Sequence, residues 1–483
     1  GHFILVLLIV LLSFSRGYYL VSQTYCISLG WEEQCSYKLT DRFKTLGGKM
    51  KKKLLVYAHY YYPDVASTGQ ILKELCEGMK DTFDITVICV VPSYSGVIEE
   101  KYKTQRIYNE KINGINVVRV RVPEFQKSNK VSRIKNLLGY FFNSLIATVK
   151  LEKQDYIFTI SQPPILGGVL GVLGKWIKGG KLIYNIQDFN PEQTVAVGYS
   201  KNKLLLNTVM MVDKFSCKLS DEVIVVGRDM QETLINRFNN KKVPKNTFIN
   251  NWIDEKEIYP LRSNHPKIES FKEKYNLNNK FIIMYSGNIG LYYDLENIIK
   301  VIGKFKERED VVFAFVGDGT VKKEIERYAT ENKLSNVTFI PYQDKADLVY
   351  SLNAAHIHWV VNAKGIKGIS VPSKLYGVMA VGKPVLGVLD EGSEARLIVD
   401  ECNCGLCTEP GNYDEIYNKI NYILDNKEKV INIGENGRKY LEKNLTKDVS
   451  INKYKNTILS LDSKFIDVLP KDNIEGSLEE VTI

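Results

Sequence analysis

The sequence predicts an α/β protein made of two Rossmann-like, doubly wound parallel-sheet domains that face a cleft. Three observations support this fold class. Apolar runs typical of buried strands alternate with helical patterns from about residue 50 onward. These runs fall into two groups, separated by a polar stretch that contains prolines at 260–266. Glycine-containing turns follow several strands directly, at the sheet edge where open α/β folds bind ligands.

Composition limits the kind of molecule this is. At 483 residues, with 44% hydrophobic and 25% charged side chains, the chain is long enough for two or three globular domains. A net charge of +9 favours an anionic partner such as a nucleotide or a phospholipid headgroup. No dense Lys/Arg motif indicates nucleic acid, so none is expected as a partner. The 8 scattered cysteines indicate a reducing compartment and no disulfide framework.

Residues 1–49 differ from the rest of the chain. The apolar run at 3–12 is shorter than the roughly 20 residues of a membrane-spanning helix, and no basic segment precedes it. The sequence Gly47-Gly48-Lys49-Met50 is compatible with a ribosome-binding site just before a start codon. We therefore expect 1–49 to be a non-native or disordered extension, read from upstream DNA. The alternative is a short membrane anchor.

Strand and helix patterns define the remaining domain organisation. We predict an N-terminal domain over 50–260, a C-terminal domain over 261–448, a helix at 449–462 that returns toward the N-terminal domain, and a mobile tail at 463–483. The predicted strands lie near Leu54 and at 85–91, 117–122, 156–160, 181–186 and 222–226, then at 281–285, 311–316, 337–340, 357–361 and 384–388.

One segment, 128–150, has apolar residues at the helical period and basic residues clustered at one end. Packing of this helix on its own sheet is one interpretation. A basic, apolar surface that touches an anionic membrane is the other.

Two segments in the C-terminal half indicate a phosphate site. Gly287-Asn288-Ile289-Gly290 follows a predicted strand and precedes a helical pattern, so its backbone amides are placed to bind an anion. The segment 371–374 places Ser373 and the cation Lys374 at the start of another helix. Together they predict a grip on a pyrophosphate group and therefore a nucleotide ligand.

The N-terminal half contributes a carboxylate at the same type of edge. Asp188 follows the strand at 181–186, where it can meet a substrate hydroxyl. Thr68 and Gly69 lie in the turn after the first strand. The G-x-G-x-x-G fingerprint of nicotinamide dinucleotide binding is missing from this turn, which argues against a dehydrogenase or epimerase that uses NAD.

With these motifs in order, the chain from about Leu54 to Leu461 resembles glycosyltransferases of the GT-B fold. Within them it is similar to family 4, and there to a bacterial group resembling N-acetylfucosamine transferases of O-antigen and capsule assembly. The residues that carry the resemblance are the segments 61–64 (YYPD), 68–69 (TG), 187–188 (QD), 191–192 (PE), 251–254 (NWID), 287–290 (GNIG), 316–319 (VGDG), 372–376 (PSKLY) and 379–385 (MAVGKPV).

The resemblance implies a role for each domain and for specific residues. The C-terminal domain would bind a nucleotide-sugar donor and the N-terminal domain an acceptor, and closure would bring them together. Asp188 and Lys374 are the implied catalytic pair. The implied donor contacts are Gly287, Asn288, Gly290, Ser373 and Lys374, with Pro341 and Tyr342 near the base. The implied acceptor and cleft residues are Thr68, Gly69, Gln187 and Glu192.

The chain departs from the family pattern at two positions. Many members carry two glutamates eight positions apart, and here these positions are Ile369 and Gly377. The pair Ser393-Glu394, after the next strand, could supply a donor-binding carboxylate instead. Equally, Glu394 could simply occupy the first turn of a helix, where a carboxylate is favoured.

The resemblance implies a retaining transfer in which the donor phosphate helps to deprotonate the acceptor. The expected donor is a UDP-sugar, with an N-acetylated deoxyhexose or a hexosamine, and the expected acceptor is a lipid-linked saccharide of surface polysaccharide. No Asp-x-Asp motif occurs, so we expect no metal and no further cofactor. The expected location is cytoplasmic, at the inner face of the cell membrane. A non-catalytic nucleotide-sugar-binding subunit is the alternative function.

Overall fold

A computed structural model describes residues 51–462, apart from 65–66, 127–128, 197 and 199–201. The expectations for the extension at 1–49 and for the tail at 463–483 concern residues outside this described part.

The N-terminal domain is built on an eight-stranded sheet with the order β3-β4-β2-β1-β5-β6-β7-β8. All neighbouring strands are parallel except β3, which runs antiparallel to β4. The strands are β1 (Lys52–Tyr57), β2 (Phe83–Val90), β3 (Ile107–Ile112), β4 (Ile115–Val120), β5 (Tyr156–Ile160), β6 (Lys181–Ile186), β7 (Glu222–Val225) and β8 (Asn246–Phe248).

Helices cover both faces of this sheet, as a strand that is buried on both sides requires. Along β1, Leu54 and Val56 enter one apolar core, whereas Leu55 and Tyr57 enter the core on the opposite face. Full burial of each such side chain contributes about 1.5–3 kcal/mol. The helices are α1 (Ser67–Met79), α2 (Lys130–Lys150), α3 (Leu166–Lys178), α4 (Glu192–Ala196), α5 (Lys203–Leu219) and α6 (Arg228–Arg237).

The C-terminal domain has a six-stranded parallel sheet with the order β11-β10-β9-β12-β13-β14. Its strands are β9 (Phe281–Ser286), β10 (Val311–Val316), β11 (Val337–Ile340), β12 (Ile357–Val361), β13 (Val385–Val388) and β14 (Gly405–Thr408). Its helices are α7 (Pro266–Lys274), α8 (Leu295–Gly303), α9 (Lys322–Glu331), α10 (Lys345–Ala354), α11 (Lys374–Ala380), α12 (Glu394–Cys402), α13 (Tyr413–Asp425) and α14 (Lys427–Asn444).

The predicted class of two doubly wound α/β domains is confirmed, and the strands named from the sequence are present. Three further strands, β3, β8 and β14, were not among them. In the β3–β4 hairpin, Asn113 and Gly114 both have positive φ, of 50° and 90°. This is the conformation that a two-residue hairpin turn requires, and Asn-Gly is the sequence pair that adopts it most readily.

The chain crosses between the domains twice. After β8, Trp252 still packs in the N-terminal core, whereas Ile258 already packs in the C-terminal core, so the crossing lies a few residues before the predicted boundary at 260. After α14, the helix α15 (Lys447–Leu459) packs on α1 of the N-terminal domain. There the Tyr454 hydroxyl accepts a 3.0 Å hydrogen bond from the Asn185 side chain.

Helix α2 has two different faces. Tyr140 and Phe141 are buried against the sheet, so the helix does pack on its own domain. The other face exposes apolar side chains, among them Ile134, Phe142 and Val149. None of the helices in the described ranges combines the length and the apolar character that a bilayer span needs.

Candidate active site

Three loops meet at the carboxyl edge of the C-terminal sheet. They follow β9, β10 and β11, which are neighbours in the sheet, and they contain Gly287–Gly290, Gly317–Gly319 and the pair Pro341 and Tyr342. Pro341 and Tyr342 are exposed, with two-thirds of the tyrosine surface open to solvent. This edge is where open α/β sheets bind ligands.

The first two loops lock onto each other through their backbones. The amide of Ile289 donates to the carbonyl of Asp318 at 2.8 Å. A Cβ atom at Gly317 would lie only 2.1 Å from the carbonyl oxygen of Gly287, and Gly317 has φ of +137°. Only glycine satisfies both conditions, so the close contact depends on that residue.

The glycine loop reaches helix α8 less directly than the sequence predicts. A short 3₁₀ turn, Leu291–Tyr293, separates Gly290 from α8, and Asp294 at the helix start has φ of +52°. Within the described residues, the amides of Asn288 and Gly290 donate to no protein acceptor. They are therefore available to an anion. Because the 3₁₀ turn lies between this loop and α8, the N-terminus of α8 does not begin at the loop.

Lys374 lies on this loop. Its aliphatic chain covers Gly287, where an added Cβ would be 2.5 Å from the lysine Cε. The ammonium nitrogen lies 3.7 Å from the ring centroid of Tyr293 and 5.1 Å from that of Tyr285. Burial lowers the pKa of Lys374 to about 7. Among the described residues it forms no ion pair, so its charge is available to a ligand. Ser373, the preceding residue, is exposed beside it.

Asp188 belongs to the N-terminal domain. It follows β6 and forms an isolated antiparallel bridge with Ser370 of the C-terminal domain. Its carboxyl group is hydrogen-bonded to Gln162 and Ser370, and burial raises its pKa to about 6. Burial, together with the charge of Asp188, raises the pKa of Tyr293 to about 12. Tyr293 therefore lies near Asp188 of one domain and in contact with Lys374 of the other.

Tyr293 and Gln162 are two members of this arrangement that the sequence did not indicate. Tyr293 contacts Lys374 and lies near Asp188. Gln162 connects Asp188 to the N-terminal loop, because its side-chain oxygen accepts a 2.7 Å hydrogen bond from Thr68. Gly69, next in the chain, lies so close to Tyr60 that an added Cβ would be 3.0 Å from the Tyr60 carbonyl oxygen. The role of Thr68 and Gly69 toward an acceptor stays a prediction.

Gln187 and Glu192 are engaged inside the N-terminal domain. The Gln187 side chain donates to Asn185 and accepts from Asn251, each at 2.7 Å. Glu192 forms a two-pronged ion pair with Arg237, at 2.5 and 2.6 Å. Their polar atoms support the fold around Asp188, and the expected contact with an acceptor stays a prediction. In the described part of the chain, no three metal-binding side chains come together.

Comparison with known proteins finds a family similar to the C-terminal half. Residues 267–440 match the family described as "Glycosyl transferases group 1". The chain as a whole has the GT-B fold predicted from the sequence.

Two relatives extend the similarity beyond that domain. "Probable glycosyltransferase WbjE" of Pseudomonas aeruginosa is 27% identical over 68% of this chain and 82% of its own length. "Putative colanic acid biosynthesis glycosyl transferase WcaI" of Escherichia coli K12 is 23% identical over 84% of this chain and 99% of its own length.

Two solved structures share the fold at low sequence identity. Sucrose-phosphate synthase of Thermosynechococcus elongatus superimposes with a TM-score of 0.68 at 15% identity, over 85% of this chain and 99% of the other. HepE of Anabaena, solved with UDP and glucose, superimposes with a TM-score of 0.64 at 15% identity, over 85% of this chain and all of its own.

Within the C-terminal domain, Glu394 is engaged by residues of the N-terminal domain. It is 1% exposed and accepts hydrogen bonds from the Arg228 amide and guanidinium at 2.9 and 2.8 Å, and from the Asn250 side chain at 2.8 Å. Both partners belong to the N-terminal side of the cleft. The Ser393 hydroxyl donates to the Asp390 carbonyl at 2.7 Å. In this arrangement Glu394 joins the two domains, and donor binding by Ser393 and Glu394 stays a prediction.

The two positions that lack the family's glutamates also face protein. Ile369 packs in an apolar cluster of the N-terminal domain with Ile186 and Phe189. Gly377 lies 3.5 Å, measured from an added Cβ, from side chains of Ile253 and Leu352. The site therefore has Asp188 as its cleft carboxylate.

Proposed function

We propose that this chain is a retaining glycosyltransferase that moves a sugar from a UDP-sugar to a lipid-linked saccharide during assembly of a surface polysaccharide. The observation that carries the proposal is Lys374, which packs on a glycine loop and has no ion-pair partner among the described residues, while its neighbour Tyr293 also lies near Asp188 of the other domain. HepE, which has the same fold and was solved with UDP and glucose, supports a nucleotide-sugar donor.

The residues divide the reaction between the two domains. Lys374 and the amides of Asn288 and Gly290 bind the diphosphate, and the lysine charge stabilises UDP as it leaves. The exposed Tyr342 ring stacks on the base. The donor C1–O bond breaks, a new C1–O bond to the acceptor hydroxyl forms on the same face, and the hydroxyl proton passes to the departing phosphate. Asp188 orients hydroxyl groups and does not need to act as the base.

The sugar and the pathway rest on resemblance and relatives. The group resembling N-acetylfucosamine transferases favours an N-acetylated deoxyhexose or a hexosamine. The name of WcaI, which refers to colanic acid, supports a surface polysaccharide as the product. We propose that transfer needs no metal ion, since Lys374 supplies the counter-charge. Unchanged turnover in the presence of EDTA is the expected result, and a large loss would contradict it.

We further propose that the enzyme binds the inner face of the membrane through one side of its N-terminal domain. Helices α2, α3 and α5 pack side by side there. Exposed apolar residues lie on all three, and exposed cations lie at the start of α2. The apolar residues are Val131, Ile134, Phe142, Val149, Trp176, Ile177, Leu204, Met211 and Phe215. The cations are Lys130, Arg133 and Lys135. This combination fits an anionic lipid surface.

Vesicle flotation tests the membrane contact. Wild-type protein should float with phosphatidylglycerol vesicles and less with phosphatidylcholine vesicles, and Phe142→Glu should weaken flotation. Tyr422→Glu is the matched control, because Tyr422 is similarly exposed but lies in the C-terminal domain. If Phe142→Glu and Tyr422→Glu both float as well as the wild-type protein, the proposed membrane contact is contradicted.

Calorimetric titration with UDP, GDP and their sugar conjugates tests the donor. Selective UDP binding should be lost in Lys374→Ala, because hydrogen bonds to charged groups are worth about 1.5–3 kcal/mol. Lys323→Ala, an exposed lysine in the same domain, should bind as wild type. If the wild-type protein binds none of these nucleotides, the proposal is refuted.

The second candidate is a non-catalytic nucleotide-sugar-binding subunit. Two observations favour it: Ile369 stands where the family pattern has a glutamate, and Glu394 is held in an ion pair with Arg228. Asp188→Ala separates the two. An enzyme loses transfer while it still binds UDP, whereas a binding subunit keeps its biological role.

A further inference from the structure

A cavity of about 250 Å³ opens in the N-terminal domain between the loop after β1 and the first turns of α2. Its lining includes His59, Tyr60, Phe125, Arg133, Asn136 and Gln162. Gln162 is also the hydrogen-bond partner of Asp188. The cavity therefore shares a wall with the candidate active site, on its acceptor side.

The charge in this cavity is positive. Arg133 is exposed, and no ion pair within the described ranges involves it. The nearby acid is Asp64, whose carboxylate accepts hydrogen bonds from the backbone amides of Ser93 and Tyr94, at 3.1 and 3.3 Å. Because Asp64 does not form an ion pair with Arg133, the Arg133 guanidinium can bind an anionic group of a ligand.

His59 adds a neutral hydrogen-bonding atom. Its Nε2 is buried and has no partner in the described structure. The Asn136 side chain donates its amide to the Pro123 carbonyl at 2.8 Å, so its oxygen remains to accept from the other ring nitrogen of His59. The unpaired Nε2 is then an acceptor, suited to a ligand hydroxyl.

Aromatic rings complete the walls. His59 and Tyr60 have ring centroids 4.2 Å apart, and Tyr94 packs edge-on against Tyr60 at 5.2 Å. Phe125 lines the cavity beside them. Pockets for larger ligands measure about 300–1,000 Å³, so this one is sized for a single sugar with its phosphate.

We propose that this cavity binds the phosphorylated sugar at the reducing end of the acceptor, with Arg133 on the phosphate and the His59 Nε2 on a sugar hydroxyl. The inference rests on the proposed function and names the acceptor class for it: a sugar phosphate or diphosphate. Helix α2 leads from the cavity toward its exposed apolar face, so a lipid esterified to that phosphate would leave along the helix.

The test is calorimetric titration with N-acetylglucosamine 1-phosphate, with and without saturating UDP. Wild type should bind this probe in both conditions, and more tightly than free N-acetylglucosamine, inorganic pyrophosphate or geranyl diphosphate. Those three probes separate the sugar phosphate from a free phosphate and from a lipid headgroup. Arg133→Gln should lower affinity for the probe about 10-fold or more, with UDP affinity unchanged. Lys150→Gln, at the far end of the same helix and outside the cavity, is the control.

His59→Phe gives an independent reading. It keeps a ring of similar shape, and it should weaken the sugar phosphate but not pyrophosphate. No binding of the probe to wild type, or equal binding by wild type and Arg133→Gln, would overturn this inference while UDP binding leaves the proposed function standing. If wild-type protein does not bind UDP, the proposed function is refuted instead. The titration of the probe without UDP would then still measure binding at the cavity.

Discussion

The ammonium nitrogen of Lys374 lies 3.7 Å from the centroid of the Tyr293 ring, and this contact positions a half-buried cation in the C-terminal domain. Tyr293 belongs to the 3₁₀ turn after the glycine loop, whereas Lys374 begins a helix about eighty residues later in the chain. The ring offers the lysine an attraction that does not neutralise its charge. The cation is thereby held in place for an anionic ligand, while burial lowers its pKa to about 7.

Tyr293→Ala should weaken UDP binding about 2- to 30-fold, because a cation–π contact is worth about 0.5–2 kcal/mol. Tyr293→Phe should bind nearly as wild type, since the ring face remains. Calorimetry of both variants measures the difference. An equal loss in the two variants would show that the hydroxyl matters and the ring does not.

The kcat/KM for transfer should follow a bell-shaped pH profile, with its maximum between the pKa of Asp188, about 6, and that of Lys374, about 7. Below the first value Asp188 becomes protonated and accepts hydroxyl hydrogen bonds poorly. Above the second, Lys374 loses the charge that binds diphosphate. Initial rates from about pH 5 to about pH 9 trace both limbs.

Two variants assign the limbs of that profile. Asp188→Asn should flatten the acidic limb along with a large loss of rate. Lys374→Arg should move the alkaline limb upward, because arginine stays charged. An alkaline limb that is unchanged in Lys374→Arg would assign it to another group.

Glu394→Gln should destabilise the protein and leave UDP affinity unchanged. Removing one partner of a fully buried ion pair costs about 3–5 kcal/mol, and we expect about 2–3 kcal/mol because the Arg228 side chain is 34% exposed. Denaturant unfolding and UDP titration are the two measurements. Unchanged stability with lost donor binding would restore Glu394 as a donor ligand.

Gly317→Ala should abolish or strongly weaken UDP binding, because its Cβ would meet the Gly287 carbonyl oxygen at 2.1 Å and push the two loops apart. Gly365→Ala is the matched control. It also has positive φ, +88°, but nothing lies within 4 Å of the added atom, so a loss of about 1–2 kcal/mol in stability with normal binding is expected. Similar binding losses in both variants would trace the effect to backbone strain alone.

Local patterns predicted most of the framework and the donor edge of the site. The strand of residues 281–285 and the glycines at 287 and 290 are signals contained within ten residues. The sequence Asn113-Gly114 is also a local signal for a hairpin turn. The strand β3 before it was not predicted, because a short, half-exposed strand lacks a continuous apolar run.

The contacts of Glu394 could not be predicted from the sequence. Its partner Arg228 lies 166 positions away, and only the packing of the two domains brings them together. Tyr293 was overlooked for the opposite reason. It sits beside the glycine loop, but a tyrosine in a turn carries no signal until the structure shows a lysine over its ring.

The return of α15 to the N-terminal domain makes the C-terminal domain, in topological terms, an insert held at both of its ends. Because the chain crosses twice, any relative motion of the two domains is restricted to bending about the line that joins the crossings. In the proposed transfer, this restriction would bring a donor on one domain to an acceptor on the other along a single path.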